Sequence, residues 1–207
     1  MKRGNSLFNL YSWKLKDVIL VSLLAVFFAI ICLSAVYLAM FLTPFLVPFG
    51  LGEMTVEFFF GIWFFVATFS PYIMRKPGVA TITSTLTGVI QVFMGNPAAA
   101  TVVVSAFWQG LGSEFAFLFS RYKKFNFLTM LLAATGSTIF SFILAWHRGL
   151  WVDLPLSFLA ARFFVRLASA LLFAGLAAKL LADRLAKAGV LKSYPIGEKY
   201  AGNIDEP

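Results

Sequence analysis

Residues 17–43 read DVILVSLLAVFFAIICLSAVYLAMFLT, and after Asp17 no charged side chain follows until Glu53. A helix needs about 20 mostly apolar residues to cross the hydrocarbon core of a bilayer. This stretch exceeds that length. It is also too long for the apolar region of a cleavable signal peptide and lacks a clean small-residue cleavage site, so it is expected to remain as a first span. Moving outward, apolar segments recur at 56–74, 77–95, 98–120, 126–147 and 155–183. The punctuation between them is what helix ends require. Thr43-Pro44 through Gly50-Leu51-Gly52 is expected to break the chain after the first span, Arg75-Lys76-Pro77-Gly78 and Gly95-Asn96-Pro97 to make tight turns, and Lys123–Asn126 and His147-Arg148-Gly149 to close the next two.

Composition agrees. The chain has 207 residues, 60% of them hydrophobic and 13% charged, with a mean hydropathy of +0.87. A soluble domain of this size carries far more polar surface. The expected fold is therefore an all-α integral membrane protein of six transmembrane helices. Its parts are a cytoplasmic N-terminus at 1–16, one membrane domain at 17–187 and a cytoplasmic tail at 188–207.

Charge sets the direction. Lys2, Arg3, Lys14 and Lys16 precede the first span. Arg75 and Lys76 join spans two and three, Arg121, Lys123 and Lys124 join four and five, and Arg184, Lys187, Lys192 and Lys199 follow the sixth. The alternate connections hold one exception, Arg148. Basic residues concentrate on the cytoplasmic side, which puts both termini inside. This asymmetry also accounts for the net charge of +8, and no soluble basic domain remains for nucleic acid. Trp146 and Trp151 flank the outer 148–154 connection as an interfacial belt would.

Catalysis finds little support. One His and one Cys cannot assemble a His- or Cys-rich metal centre, and no G-x-S-x-G, H-E-x-x-H or phosphate-cradling loop occurs. No cofactor is expected. Cys32 reads as a small packing residue.

Polar groups inside the spans carry more information, because burying them in lipid is costly without a cavity or a partner. Glu57 and Glu114 are the carboxylates, and Arg162 and Arg166 lie one turn apart on the sixth span. Glu114 reads either as a ligand contact or as an internal ion pair or hydrogen bond to a neighbouring helix. Arg162 and Arg166 read as bundle glue or as partners of these carboxylates, and Glu57 could reach outer water. Thr81, Ser84, Thr85, Gly88, Gln91 and Gly95 form a stripe on one helix face, and Ser105, Gln109, Gly112 and Ser113 form another. Close helix packing explains the glycines and serines. It explains Gln91 and Gln109 less well, since each amide needs several hydrogen-bond partners. With Trp63 and Trp108 beside them, the stripes outline a cavity for a flat, nitrogen-rich, partly cationic ligand. Asn96, Trp146 and His147 would stand at its mouth.

A family resemblance joins these segments. Glu53-Met54, Glu57…Gly61-Ile62-Trp63, Tyr72–Gly78, Gly95-Asn96-Pro97, Gln109-Gly110-Leu111-Gly112-Ser113-Glu114 and Arg121-Tyr122 together resemble the YkoE-type substrate-binding (S) components of energy-coupling factor transporters. The resemblance implies a six-helix subunit that captures thiamine or its hydroxymethylpyrimidine precursor at the outer face of a bacterial plasma membrane. It implies as partners a transmembrane coupling protein and two cytoplasmic ATPases. It further implies that Ala25-x-x-x-Ala29 on the first span contacts the coupling protein. The family often carries carboxylates at the positions matching Ser84 and Gln91, where this chain is neutral. A stand-alone secondary transporter for a small cationic or heteroaromatic solute is the alternative, and would be expected to show an inverted repeat.

Overall fold

The computed structural model describes residues 13–149, 151, 154–198 and 200, so Lys2, Arg3 and Lys199 lie outside it. Helices α1 (Leu15–Leu46), α2 (Thr55–Met74), α3 (Val79–Phe93), α4 (Thr101–Phe119), α5 (Phe127–His147) and α6 (Leu156–Lys187) form the bundle. A short α7 (Pro195–Glu198) follows. Within α6, Leu171–Ala177 winds as a π-helix. No strand occurs among the described residues.

Helix ends follow local chemistry. Arg75 stops α2 in the left-handed region at φ 53°, and Gly78 starts α3 at φ 81°. Asn126 caps α5 by accepting the Thr129 N–H at 2.9 Å. The break after α1 falls within the expected stretch Thr43–Gly52, though past Pro44. A proline in the last turn forfeits only one N–H bond, so α1 continues to Leu46 and the chain turns at Gly50, φ 71°.

Solvent preference is inverted relative to a soluble protein. Leu23, Phe27, Phe41, Phe93 and Phe119 are exposed, while Glu57, Thr68, Ser113 and Arg166 are buried. Such a surface suits lipid. Five of the six long helices have the length and apolarity to cross a membrane. The exception is α3, whose 15 residues reach about 22 Å against a hydrocarbon core of about 30 Å.

Small residues bring the helices together. A Cβ on Gly112 of α4 would lie 2.3 Å from the Gly136 carbonyl oxygen of α5, and one on Gly61 of α2 would lie 2.1 Å from the Ser169 carbonyl oxygen of α6. Ala25 and Ala29 do the same for α1. Both are fully buried, and Phe28 between them packs on Phe65 and Phe69 of α2 with centroids 5.0 and 5.8 Å apart. These alanines therefore face this chain's own bundle, not an outside partner as the resemblance implied.

The two ends of the bundle differ. At one, Lys76 pairs with Asp17, Tyr72 donates to Asp183 at 3.0 Å and Lys16 donates to the Ser193 carbonyl. This basic end carries the α2–α3 and α4–α5 connections and the residues after α6. The opposite, low-charge end carries the α1–α2, α3–α4 and α5–α6 connections, tied in part by Tyr37 donating to the Gly95 carbonyl at 3.2 Å.

Candidate ligand-binding cavity

A cavity of about 310 Å³ lies in the low-charge half of the bundle, among α1, α2, α3 and α4. Five of the expected residues line it: Trp63, Ser84, Gln91, Asn96 and Gln109. Phe60, Thr87 and Arg148 also line it. Both glutamine stripes thus meet at one space, as their periodicity requires.

Most of the polar lining is spoken for. Gln91 accepts from Asn96 Nδ2 at 3.1 Å, and Asn96 Oδ1 accepts the Ala98 N–H at 2.8 Å. This pair braces the α3–α4 turn. Ser84 Oγ donates to the Ala106 carbonyl at 2.8 Å, and the Trp63 indole N–H to the Cys32 carbonyl at 3.1 Å. Gln109 is different. It is 7% exposed, yet among the described residues its amide has no hydrogen-bond partner, while its carbonyl backbone accepts from Ser137 Oγ at 2.8 Å. Because the amide borders open space, its donors and acceptor are offered to whatever enters.

A second chamber of about 250 Å³ adjoins the first. The two share Val56, Phe60, Ser105, Gln109 and Arg148. Its wall is an ion cluster. Glu57 Oε1 accepts from Arg162 Nε at 2.9 Å and Arg166 Nη2 at 3.0 Å, and Oε2 accepts from Arg166 Nε at 2.6 Å. Arg162 Nη1 also reaches Glu53 at 2.9 Å, and Arg166 Nη1 reaches Ser141 Oγ at 3.0 Å. The Arg166 guanidinium lies 3.6 Å from the Phe60 ring centre. Pairing both charges and satisfying their donors is what allows them inside lipid.

This architecture recurs in known proteins. The family described as "ABC-type cobalt transport system, permease component" matches residues 16–140. A relative, "Putative HMP/thiamine permease protein YkoE" of Bacillus subtilis (strain 168), is 31% identical over 188 residues, covering 91% of this chain and 92% of the relative. A solved structure described as "Crystal structure of an S-component of ECF transporter" superposes with a TM-score of 0.86 at 31% identity, over 93% of this chain and 95% of that one. This chain belongs to the YkoE-type S components of energy-coupling factor transporters. It is a multi-pass membrane protein and the substrate-binding subunit of its transporter. Amides, hydroxyls and an arginine line the first chamber, and among the described residues no group of three His, Cys, Asp or Glu gathers anywhere.

In the S component the remaining expected residues lie elsewhere. Glu114 sits at the basic end, where it accepts the Gly78 N–H at 2.7 Å and the Thr81 N–H at 3.3 Å and also the Tyr122 hydroxyl. It caps the start of α3, as a carboxylate at a helix N-terminus does. Trp108 follows a different face of α4 from Gln109, since neighbours on a helix point about 100° apart, and it packs on Phe140 at 5.8 Å. Trp146 and His147 are exposed at the end of α5 and line neither chamber. Trp151, expected in an interfacial belt, is 6% exposed and covers Arg162, 5.0 Å from its ring centre. Arg148 is a lining residue that site reasoning missed. Its signal was available as the lone basic residue in a connection otherwise free of them.

Proposed function

We propose that this S component captures thiamine or the related hydroxymethylpyrimidine from the outer face of a bacterial plasma membrane. The six helices span the membrane and both termini and the basic loops lie in the cytoplasm. A transmembrane coupling protein and two cytoplasmic ATPases then drive release inward. The name of the Bacillus relative supports this substrate class.

The observation that carries the reading is Gln109, a buried amide with no hydrogen-bond partner among the described residues, at the junction of two chambers whose lining also holds Phe60 and, in the first, Trp63. An aminopyrimidine offers a ring nitrogen and an amino group side by side. A glutamine amide answers both, donating from nitrogen and accepting at oxygen, while aromatic walls take the ring faces.

Titration calorimetry on the purified S component tests this. One ligand per chain is expected with hydroxymethylpyrimidine or thiamine. Gln109→Leu should weaken binding by about tenfold, the worth of roughly one lost hydrogen bond left unmade in a buried site. Absence of heat with both compounds at millimolar concentration would refute the substrate class.

A further inference from the structure

We infer that Thr68 is a positioning residue for the ligand site: it holds the π-turn of α6 that brings Arg162 and Arg166 into the wall of the second chamber. The inference rests on the two chambers receiving the ligand, as proposed above, and adds a residue that lines neither of them.

The spacing of buried residues along α6 poses a problem that a plain α-helix cannot solve. Arg166, Ala170, Ala174, Ala178, Ala182 and Ala186 stand four apart, and none is more than 2% exposed. An α-helix advances about 100° per residue, so each step of four drifts about 40° past a full turn. Five steps would carry Ala186 about 200° from Arg166, nearly to the opposite face. Yet α6 meets α2 at both ends. Arg166 holds Glu57 at 2.6 Å, and toward the basic end Asp183 accepts from Tyr72 at 3.0 Å.

The π-turn at Leu171–Ala177 reconciles the two ends. A π-turn takes in one residue more than an α-turn, and so takes back about 100° of rotation. It also leaves one carbonyl over. The Ala178 N–H donates to the Phe173 carbonyl, five residues back, and α-helical winding resumes at Ala178. The carbonyl passed over is that of Ala174, which is fully buried. A buried carbonyl without a donor is costly.

Thr68 of α2 supplies the donor. Its side chain has no solvent exposure, and its hydroxyl lies 2.7 Å from the Ala174 carbonyl oxygen and 3.0 Å from the Phe65 carbonyl in its own helix. The π-turn is thus satisfied from the helix that also carries Glu57 and Phe60. Without that bond the extra residue loses its compensation, and the outer half of α6 is released to turn toward α-helical register. Arg166 then draws away from the Phe60 ring, now 3.6 Å from its guanidinium, and from Ser141 Oγ at 3.0 Å. Phe60 lines both chambers and Ser141 the second, so the site changes shape although Thr68 touches no ligand.

The test titrates the purified, full-length S component with thiamine and with hydroxymethylpyrimidine. Thr68→Val, which keeps the shape and removes the hydroxyl, should weaken binding about tenfold, the scale of one buried hydrogen bond left unmade. Thr68→Ser, which restores the donor, should stay within about twofold of the native protein. Ser70→Ala is the control. It removes a buried hydroxyl bond of 2.9 Å within α2 that does not reach α6, and it should lower stability while leaving affinity unchanged. Deleting Leu172, an exposed residue of the π-turn, should abolish binding. Native affinity in Thr68→Val, or equal losses in Thr68→Val and Ser70→Ala, would overturn the positioning role and leave the ligand reading intact. Failure of the native protein to bind either compound would overturn both.

Discussion

Glu57 answers two arginines at once, with no solvent exposure of its own. Removing one side of a buried ion pair typically costs about 3–5 kcal/mol, because the surviving charge stays buried without compensation. Glu57→Gln is therefore expected to destabilise the S component by roughly that amount in thermal or denaturant unfolding. Arg166, at 2% exposure, has no other carboxylate in contact among the described residues. Unfolding unchanged from the native protein would show that the cluster does not hold α2 to α6. Part of this was legible in the sequence. Charges inside apolar spans need partners, so Arg162 and Arg166 could be matched to carboxylates as a class. Which carboxylate could not be read, because Glu57 and Glu114 look alike along the chain. They part only when α2 meets α6 at one end and α4 meets the α3 start at the other. Arg148 shows the converse. Its oddity was visible as a break in the charge rule, but its place beside Gln109 depends on how α5 ends relative to α4.

At the scale of elements, the helix contacts are set by glycine. Gly112 and Gly136 let α4 and α5 touch backbone to backbone. A valine at 112 would force them apart, since the atom it meets is a carbonyl oxygen that cannot swing aside. Overpacking of this kind costs about 1–3 kcal/mol or more, so Gly112→Val should lower the unfolding transition clearly. Val104→Ala, on the exposed side of the same helix, should change it by no more than about 0.5 kcal/mol. Equal effects from the two would contradict the close contact. The positions of the six long helices were nearly complete in the sequence. α5 was expected at 126–147 and runs Phe127–His147, because Asn126 and His147-Arg148-Gly149 carry the end signals. Two features were not legible. The early stop of α3 at Phe93 depends on the Gln91–Asn96 brace. And an Ala-x-x-x-Ala face announces a close neighbour without saying which one, so Ala25 and Ala29 pointed equally well outward or into the bundle.

For the whole molecule, the basic residues Lys16, Arg75, Lys76, Arg121, Lys123, Lys124, Arg184 and Lys187 and the two chambers lie toward opposite ends of the bundle. If basic loops face the cytoplasm, a ligand enters from outside and the motor works from within. The most direct measurement is binding of radiolabelled pyrimidine alcohol to sealed membrane vesicles that hold the S component without its partners. Right-side-out vesicles are expected to bind one ligand per chain, saturably and without accumulating it. Inverted vesicles are expected to bind none until they are permeabilised. Saturable binding by inverted vesicles alone, or accumulation in the lumen by this chain unaided, would contradict an outward-facing capture subunit.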